Sequence, residues 1–215
     1  ASEGKAEKTG RKETVISPAK VTRQPHIVFI MSDQHRGDAL HCMGNEAVIS
    51  PNIDRLAQEG RLFVSGYSST PSSTPARAGL LTGLSPWNHG MLGYGRVATE
   101  YKYEMPQMLR NLGYYTFGIG KMHWFPQKAL HGFHATLVDE SGRSESPDFI
   151  SDYREWFQLN APGKNPDLTG IGWNDHVAGV YQLDERLHPT AWTGQTACEL
   201  IRNYDNDQPL FLKVS

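Results

Sequence analysis

The sequence contains no apolar run as long as a transmembrane helix requires, and its first residues lack the apolar centre of a signal peptide. A secreted chain whose signal peptide has been removed would look the same. Only two cysteines occur in 215 residues, Cys42 and Cys198, and their spacing is not that of a metal site, so they fix neither a disulfide nor a compartment. The net charge is −2, and we therefore expect neither nucleic acid nor an anionic membrane as a partner.

Apolar stretches of strand length alternate with amphipathic stretches of helix length along most of the chain. The predicted strands are 26–32, 62–66, 114–119 and 210–214, and the predicted helices begin at Ser50-Pro51, Ser73, Met105 and Thr190. This alternation predicts an α/β fold in which helices sandwich a mostly parallel sheet. The nearly continuous apolar run at 26–32 indicates a central strand covered on both faces. Ligands of such sheets bind beyond the carboxyl ends of the strands.

The chain divides into a tail and one folded part. Residues 1–24 are polar, charged and poor in large apolar side chains, so we expect a flexible N-terminal tail. In the folded part, 25–215, the stretch from about 125 to 189 has weak periodicity and is interpreted as a long, partly structured insertion. The last apolar stretch, 210–214, has the composition of a core strand. We expect the sheet to be incomplete in this chain, with that terminal strand left without its next sheet neighbours or covering helix.

The most informative stretch is 73–83, Ser-Thr-Pro-Ala-Arg-Ala-Gly-Leu-Leu-Thr-Gly. It places the hydroxyl of Ser73 at the start of a helix that Pro75 favours, and Arg77 follows four residues later on the same helical face. Free backbone N–H groups and the helix dipole at that end also attract an anion. The stretch therefore predicts a nucleophile-sized hydroxyl in an anion-binding site, although a capped helix in a Ser/Thr-rich loop would use the same residues.

This stretch resembles the active-site motif of the sulfatase family, in which Cys or Ser is followed by x-Pro/Ala-x-Arg and a short helix ending in Thr-Gly. The matching positions are Ser73, Pro75, Arg77, Thr82 and Gly83. The resemblance implies an α/β domain like those of sulfatases and alkaline phosphatase, of which 25–215 would be the N-terminal portion. It also implies that a maturation enzyme oxidises Ser73 to formylglycine, whose hydrate attacks the sulfate ester. Members with Ser are bacterial, so we expect a bacterial protein that is periplasmic or otherwise exported.

Two further segments match the sulfatase pattern and would reach the same site. Asp33-Gln34 directly follows the first strand, and oxygen donors of this kind suit a hard divalent cation. The resemblance implies a metal bound by Asp33, Gln34 and residue 73, and Ca²⁺ suits such donors better than Mg²⁺. Gly120-Lys121-Met122-His123 follows another strand, where residues two apart point the same way. The resemblance assigns Lys121 to the sulfate and His123 to the hydroxyl of residue 73, as the base that regenerates the aldehyde.

Other parts of the sulfatase pattern are absent from this sequence. The resemblance places a second pair of metal ligands, a later Lys and the His that assists the leaving group beyond residue 215. We therefore expect the missing C-terminal half of the same protein to complete the site, and this chain alone to be inactive.

The insertion supplies most of the candidates for substrate recognition. Its segments 172–176 and 184–189 combine aromatic, cationic and hydrogen-bonding groups, as in the rim of a sugar site. They also resemble bacterial sulfatases that act on glycosaminoglycan fragments, particularly on uronate 2-O-sulfates. A uronate carboxylate needs cationic or hydrogen-bonding partners beside the sulfate, and the candidates are His176, His188, Arg96 and Arg186.

Two other functions fit the same residues. A phosphatase or phosphonate hydrolase of the same superfamily would use Ser73 unmodified, and a catalytically inactive protein with unmodified Ser73 would only bind sulfated glycans. Pro75 and Arg77 favour the sulfatase. An unmodified serine could be sulfated but lacks the second hydroxyl that releases the sulfate, so the chemical state of residue 73 distinguishes turnover from a dead end.

Overall fold

The computed structural model describes residues 23–140, 148–168, 171 and 175–215. Nearly all of the predicted tail, 1–24, therefore lies outside the described residues. Within them, no helix is both long and apolar enough to cross a membrane.

Strands and helices alternate along the described part of the chain. The strands are β1 (Ile27–Ile30), β2 (Tyr115–Gly120), β3 (Ala135–Val138) and β4 (Leu210–Val214). The α-helices are α1 (Pro51–Glu59), α2 (Ser73–Thr82), α3 (Pro86–His89), α4 (Met105–Asn111), α5 (Asp152–Asn160) and α6 (Pro189–Arg202), and 3₁₀ turns cover His41–Met43 and Glu185–Leu187. Pro51, Pro86 and Pro189 each open a helix, where the missing backbone N–H leaves no bond unmade.

The four strands form one parallel sheet in the order β1-β4-β2-β3. Strand β4 pairs on both sides, so that Leu212 lies between Val28 and Phe117. Helix α6 leads directly into β4 and packs on β2 and β4. The parallel sheet with its helices confirms the predicted α/β fold.

The side chains of β4 enter two separate apolar layers, because successive strand residues point to opposite faces. On one face, Leu212 and Val214 share a cluster with Ala197 of α6. On the other, Phe211 stacks on Phe133 with the ring centroids 5.9 Å apart. All residues of β4 are buried, which is the pattern of a central strand in a parallel sheet.

Two predictions about the strands are wrong. Strand β1, predicted to be central, lies at an edge of the described sheet, and its Val28 and Ile30 are 46% and 72% exposed. Strand β4, predicted to be left without neighbours, has one on each side. The reason is that the crossover through α6 inserts β4 between β1 and β2, a placement that the composition of a strand does not encode.

The stretch 125–189, interpreted as an insertion, contains β3 of the main sheet as well as α5. Strand β3 has four residues, three of them only partly buried, so its sequence carries little periodicity. The predicted strand at 62–66 is not one, and its Phe63 and Val64 are 79% and 69% exposed.

Helix α6 begins at Pro189 rather than after a Thr190 cap. The side chain of His188 accepts a hydrogen bond from the backbone N–H of Thr190 and so takes the capping position. A histidine is an uncommon cap, and the usual preference for Thr placed the predicted cap two residues too far along the chain.

The carboxyl ends of β2 and β4 approach closely at Gly120. The backbone N–H of Lys121 donates to the carbonyl of Ser215 at 2.9 Å, and that of Ser215 donates to the carbonyl of Ile119 at 3.0 Å. Gly120 has a φ of +88°, and a Cβ there would overlap the carbonyl oxygen of Ser215, so glycine is required. Lys121 consequently leaves the sheet directly beside residue 215.

The exposed apolar face of β1 predicts poor behaviour of residues 1–215 expressed alone. We expect aggregation through this edge, because unpaired backbone groups and exposed Ile30 invite pairing with another chain. Ile30→Lys should raise the soluble fraction of the segment measured by size exclusion. Ile49→Lys, at a residue 91% exposed outside the sheet, is the control and should change little. A segment that stays soluble and unfolds cooperatively without any substitution would contradict this expectation.

Candidate active site

An open cleft of about 750 Å³ adjoins the carboxyl end of β1. Asp33 and Gln34, which follow β1, line the cleft together with Ser73 and Arg77 of α2. The turn that follows β2 is joined to these residues by hydrogen bonds. The residues therefore meet at the edge where parallel sheets bind ligands.

Ser73 is the first residue of α2, where the backbone N–H groups of the first turn have no partner within the helix. Its Oγ accepts a hydrogen bond from Nε of Arg77 at 3.1 Å. The same Oγ lies 3.1 Å from Nδ1 of His123, so the hydroxyl can exchange a hydrogen bond with the imidazole. One hydroxyl thus touches both a fixed cation and a group able to take a proton.

The side chain of Arg77 is only 5% exposed and forms hydrogen bonds to several parts of the site. Its Nη1 donates to the carbonyl of Lys121 at 2.6 Å and to Oγ of Ser215 at 2.9 Å. Its Nη2 lies 3.3 Å from Oδ1 of Asp33. The planar guanidinium therefore joins α2 to the ends of β1, β2 and β4.

The carboxylate of Asp33 interacts with two cationic side chains. Nζ of Lys121 donates to its Oδ2 at 2.6 Å, and Arg77 contacts the other oxygen. Burial raises the pKa of Asp33, but the hydrogen bond and charge of Lys121, together with Arg77, outweigh it, so the net pKa lies below its ordinary value of 3.8. Asp33 is therefore anionic at neutral pH, as a metal ligand must be.

The oxygen donors in the cleft fit a hard divalent cation such as Ca²⁺. Asp33, with its carboxylate, and Gln34, with its amide, line the same cleft as Ser73. They fall short of the about six to eight oxygen ligands that Ca²⁺ takes. Among the residues that the structure describes, no group of three or more His, Cys, Asp and Glu side chains is placed to hold a metal ion. These donors thus suit part of a coordination shell.

Glu140, which sequence reasoning missed, holds the turn that carries His123. It is 2% exposed, and its Oε1 accepts hydrogen bonds from the backbone N–H groups of Met122 at 3.0 Å and His123 at 2.8 Å. His123 has a φ of +58°, a conformation that costs free energy for a side chain of this kind. Burial raises the pKa of Glu140 despite these two bonds. The only feature of the sequence that could have identified Glu140 is its position two residues after β3, and β3 itself was not predicted.

Lys213 is a second buried ionisable residue that was missed. It lies in β4 and is 4% exposed, with its Nζ 3.4 Å from the carbonyl of Lys121 and 3.3 Å from the sulfur of Met122. Burial and, to a smaller extent, the charge of Arg77 lower the pKa of Lys213 from 10.5 to about 7, with Glu140 opposing them. A lysine inside an otherwise apolar predicted strand was the signal that could have identified it.

The residues predicted to bind substrate have different neighbours in the described part of the chain. The guanidinium of Arg96 lies 4.4 Å above the ring of Phe125, two residues after His123. Arg186 pairs with Asp184 at 3.4 Å, and both side chains are largely exposed.

The two histidines of the predicted rim also differ in their surroundings. His188 caps α6, and its ring meets Tyr181 edge-on with the centroids 4.9 Å apart. His176 is exposed. Residues 172–174, on which the uronate prediction partly rests, lie outside the described residues.

The chain belongs to the sulfatase family, whose model, described as "Sulfatase", matches residues 25–214. It is 37% identical over 205 residues to an arylsulfatase of Clostridium perfringens, an alignment covering 89% of this chain and 42% of that protein. It is 34% identical over 133 residues to an N-acetylglucosamine-6-O-sulfatase of Bacteroides thetaiotaomicron, covering 61% of this chain and 24% of that protein. The chain thus spans less than half the length of these relatives.

Solved structures share the fold. A protein in complex with its substrate D-glucosamine-2-N,6-O-disulfate aligns with a TM-score of 0.64 at 24% identity, covering 89% of this chain and 34% of that one. The phosphonate monoester hydrolase of Agrobacterium radiobacter aligns with a TM-score of 0.69 at 21% identity, covering 89% and 40%. At such identities the likeness establishes the fold alone.

The hydrogen bonds of Glu140 predict a loss of activity when its carboxylate is removed. In the full-length protein, Glu140→Ala should lower kcat/KM about tenfold, or about 1.4 kcal/mol, because the backbone of His123 loses its acceptor. Glu140→Gln keeps one acceptor oxygen and should lose less. Glu59→Gln, at an exposed site in α1, is the matched control. Equal kcat/KM values for Glu140→Ala and the wild type would remove Glu140 from this role.

The buried amine of Lys213 predicts a pH-dependent stability. Between pH 7 and 10.5 the folded chain keeps this amine neutral, whereas the unfolded chain protonates it, so stability rises with pH. The slope is at most about 1.4 kcal/mol per pH unit. Lys213→Met removes the penalty, and its gain in free energy of unfolding over the wild type should shrink as pH rises through this range.

Urea unfolding of the full-length protein at several pH values measures this difference. Lys164→Met, at an exposed lysine, is the control for loss of a surface amine. A gain for Lys213→Met that stays constant with pH would mean that Lys213 is charged in the folded protein.

Proposed function

We propose that the full-length protein hydrolyses sulfate esters of carbohydrates, with residue 73 as the nucleophile. The observation that carries this proposal is the position of the Ser73 oxygen, 3.1 Å from both Nε of Arg77 and Nδ1 of His123. Membership of the sulfatase family supports the reaction. The arylsulfatase among the relatives supports sulfate ester hydrolysis, and the N-acetylglucosamine-6-O-sulfatase supports a carbohydrate substrate.

The charges of the site suit a sulfate ester. Its oxygens repel a nucleophile, so positive groups must first neutralise them. Arg77 is held beside the oxygen of Ser73, and the ammonium of Lys121 reaches Asp33 in the same cluster. A sulfate placed against residue 73 would therefore meet two positive charges.

His123 is the proton acceptor in this proposal. When a hydroxyl of residue 73 attacks sulfur, the S–O bond to the sugar breaks and the sulfate is transferred to residue 73. The proton that this hydroxyl loses balances the one that the sugar oxygen gains, so the sugar leaves as an alcohol. With residue 73 as hydrated formylglycine, a second hydroxyl on the same carbon gives its proton to His123. The bond between that carbon and the sulfated oxygen then breaks, which re-forms the aldehyde and releases sulfate.

Asp33 and Gln34 would hold a divalent cation, which when bound would withdraw negative charge from the sulfate. We expect Ca²⁺, with the remaining ligands from the part of the protein that follows residue 215. Asp33→Ala in the full-length protein should abolish metal binding measured by elemental analysis, because it removes the carboxylate of the pair. Asp38→Ala, at an exposed aspartate that pairs with Arg36, is the control. Undiminished metal content in Asp33→Ala would exclude Asp33 as a ligand.

The finer substrate specificity that we propose is the 2-O-sulfate of a uronic acid in glycosaminoglycan fragments. It rests on the resemblance of 172–193, and His176, His188, Arg96 and Arg186 remain its candidate contacts. A panel of 2-O-sulfated unsaturated disaccharides, 6-O-sulfated hexosamines and an aryl sulfate tests it. Preference for the hexosamine or the aryl ester would contradict the uronate specificity and leave the sulfatase function standing.

The state of Ser73 provides the test of the function itself. Full-length protein from the native host should yield a Ser73 peptide lighter by two hydrogens, and it should hydrolyse sulfate esters. Ser73→Ala should be inactive, whereas Ser72→Ala, whose side chain makes no capping bond, should retain activity. Robust turnover by verified unmodified Ser73 protein would contradict the formylglycine mechanism. Preference for phosphate or phosphonate esters would favour the alternative hydrolase.

A further inference from the structure

An exposed aromatic ring stands beside the candidate base of the site. Tyr94 is 71% exposed. Its ring meets that of His123 edge-on, with the centroids 5.9 Å apart and the planes at 65°. Such a ring presents an apolar face to solvent beside the candidate base.

The segment that carries Tyr94 is held in place by contacts of the three residues that follow it. The backbone N–H of Gly95 donates to Oγ1 of Thr74, the residue next to Ser73, at 3.2 Å. The guanidinium of Arg96 lies over the ring of Phe125, and Val97 is only 2% exposed within the apolar core. Tyr94 is therefore the exposed side chain of an anchored segment, and its backbone is held close to residues 74 and 125.

The space around Tyr94 is large enough for a group bigger than a sulfate. A second cleft, of about 340 Å³, is lined by Gly93, Gly95 and Arg96 on the flanks of Tyr94 and by Tyr101 further along the chain. Its volume is at the lower end of what small-molecule sites provide. A sugar ring that bears a sulfate at residue 73 could extend past Tyr94 toward this cleft.

We propose that Tyr94 is a specificity-determining residue that packs its ring against the sugar carrying the sulfate. The proposal rests on the proposed function, because it requires a sulfated sugar at residue 73. The apolar C–H face of a pyranose matches the exposed face of the tyrosine ring, and a tyrosine loses few rotatable bonds when it is fixed. The contact selects the sugar and leaves the bond-breaking groups unchanged.

The experiment compares the variants Tyr94→Ala and Tyr94→Phe in the full-length, matured protein. For the preferred sulfated disaccharide, Tyr94→Ala should raise KM about tenfold with little change in kcat, the size expected of a lost aromatic contact. Tyr94→Phe keeps the ring and should stay near the wild type. Tyr103→Ala, at a residue 59% exposed beside Lys102, is the matched control.

Inhibition by inorganic sulfate distinguishes binding of the sulfate group from the proposed contact with the sugar. The inhibition constant for sulfate should be the same in Tyr94→Ala and the wild type, because sulfate lacks the sugar. Equal losses in Tyr94→Phe and Tyr94→Ala would show that the hydroxyl makes the contact and would overturn the packing proposal. A fall in kcat with unchanged KM would show that Tyr94 acts through His123, which also overturns it. Wild-type protein that hydrolyses no sulfate ester would instead refute the proposed function.

Discussion

The guanidinium of Arg77 is the interaction on which the rest of the site depends. It reaches the hydroxyl of Ser73, the carbonyl of Lys121, the hydroxyl of Ser215 and the carboxylate of Asp33. The most distant of these partners, Ser215, lies 138 positions from Arg77 in the sequence. Arginine suits this place because its donors lie in one rigid plane and it stays charged when buried, whereas a lysine would offer a single nitrogen.

The charges around Arg77 are balanced in two layers. In the cleft, Asp33 faces the cations Arg77 and Lys121. Below it, Glu140 and Lys213 are buried at the ends of β3 and β4, where Glu140 holds the backbone of His123 and Lys213 reaches the same carbonyl as Arg77. Burial makes each charge costly unless it has partners. We infer that the lower layer fixes the turn from which Lys121 reaches Asp33 and His123 reaches Ser73.

The parts of the site that could be predicted are those with short-range spacing. Ser73 and Arg77 are four residues apart in a helix, and Lys121 and His123 are two residues apart after a strand. Local geometry alone therefore predicts that the two side chains of each pair point to the same side. Glu140 and Lys213 act through long-range contacts and carry no local pattern. The positions of the strands in the sheet could not be predicted for the same reason. Neither the edge position of β1 nor the central position of β4 follows from their similar apolar composition.

The central position of β4 has a consequence for the order of folding. Strand β1 pairs only with β4 in the described sheet, although 179 residues separate Ile30 from Leu210. During synthesis, β1 and β2 have no shared partner in the described sheet until β4 has left the ribosome. The entropy of closing so long a loop must be overcome before the sheet gains its central contacts. The sheet of the nascent chain therefore stays open until β4 is made, and the edge that carries the candidate site cannot assemble before then.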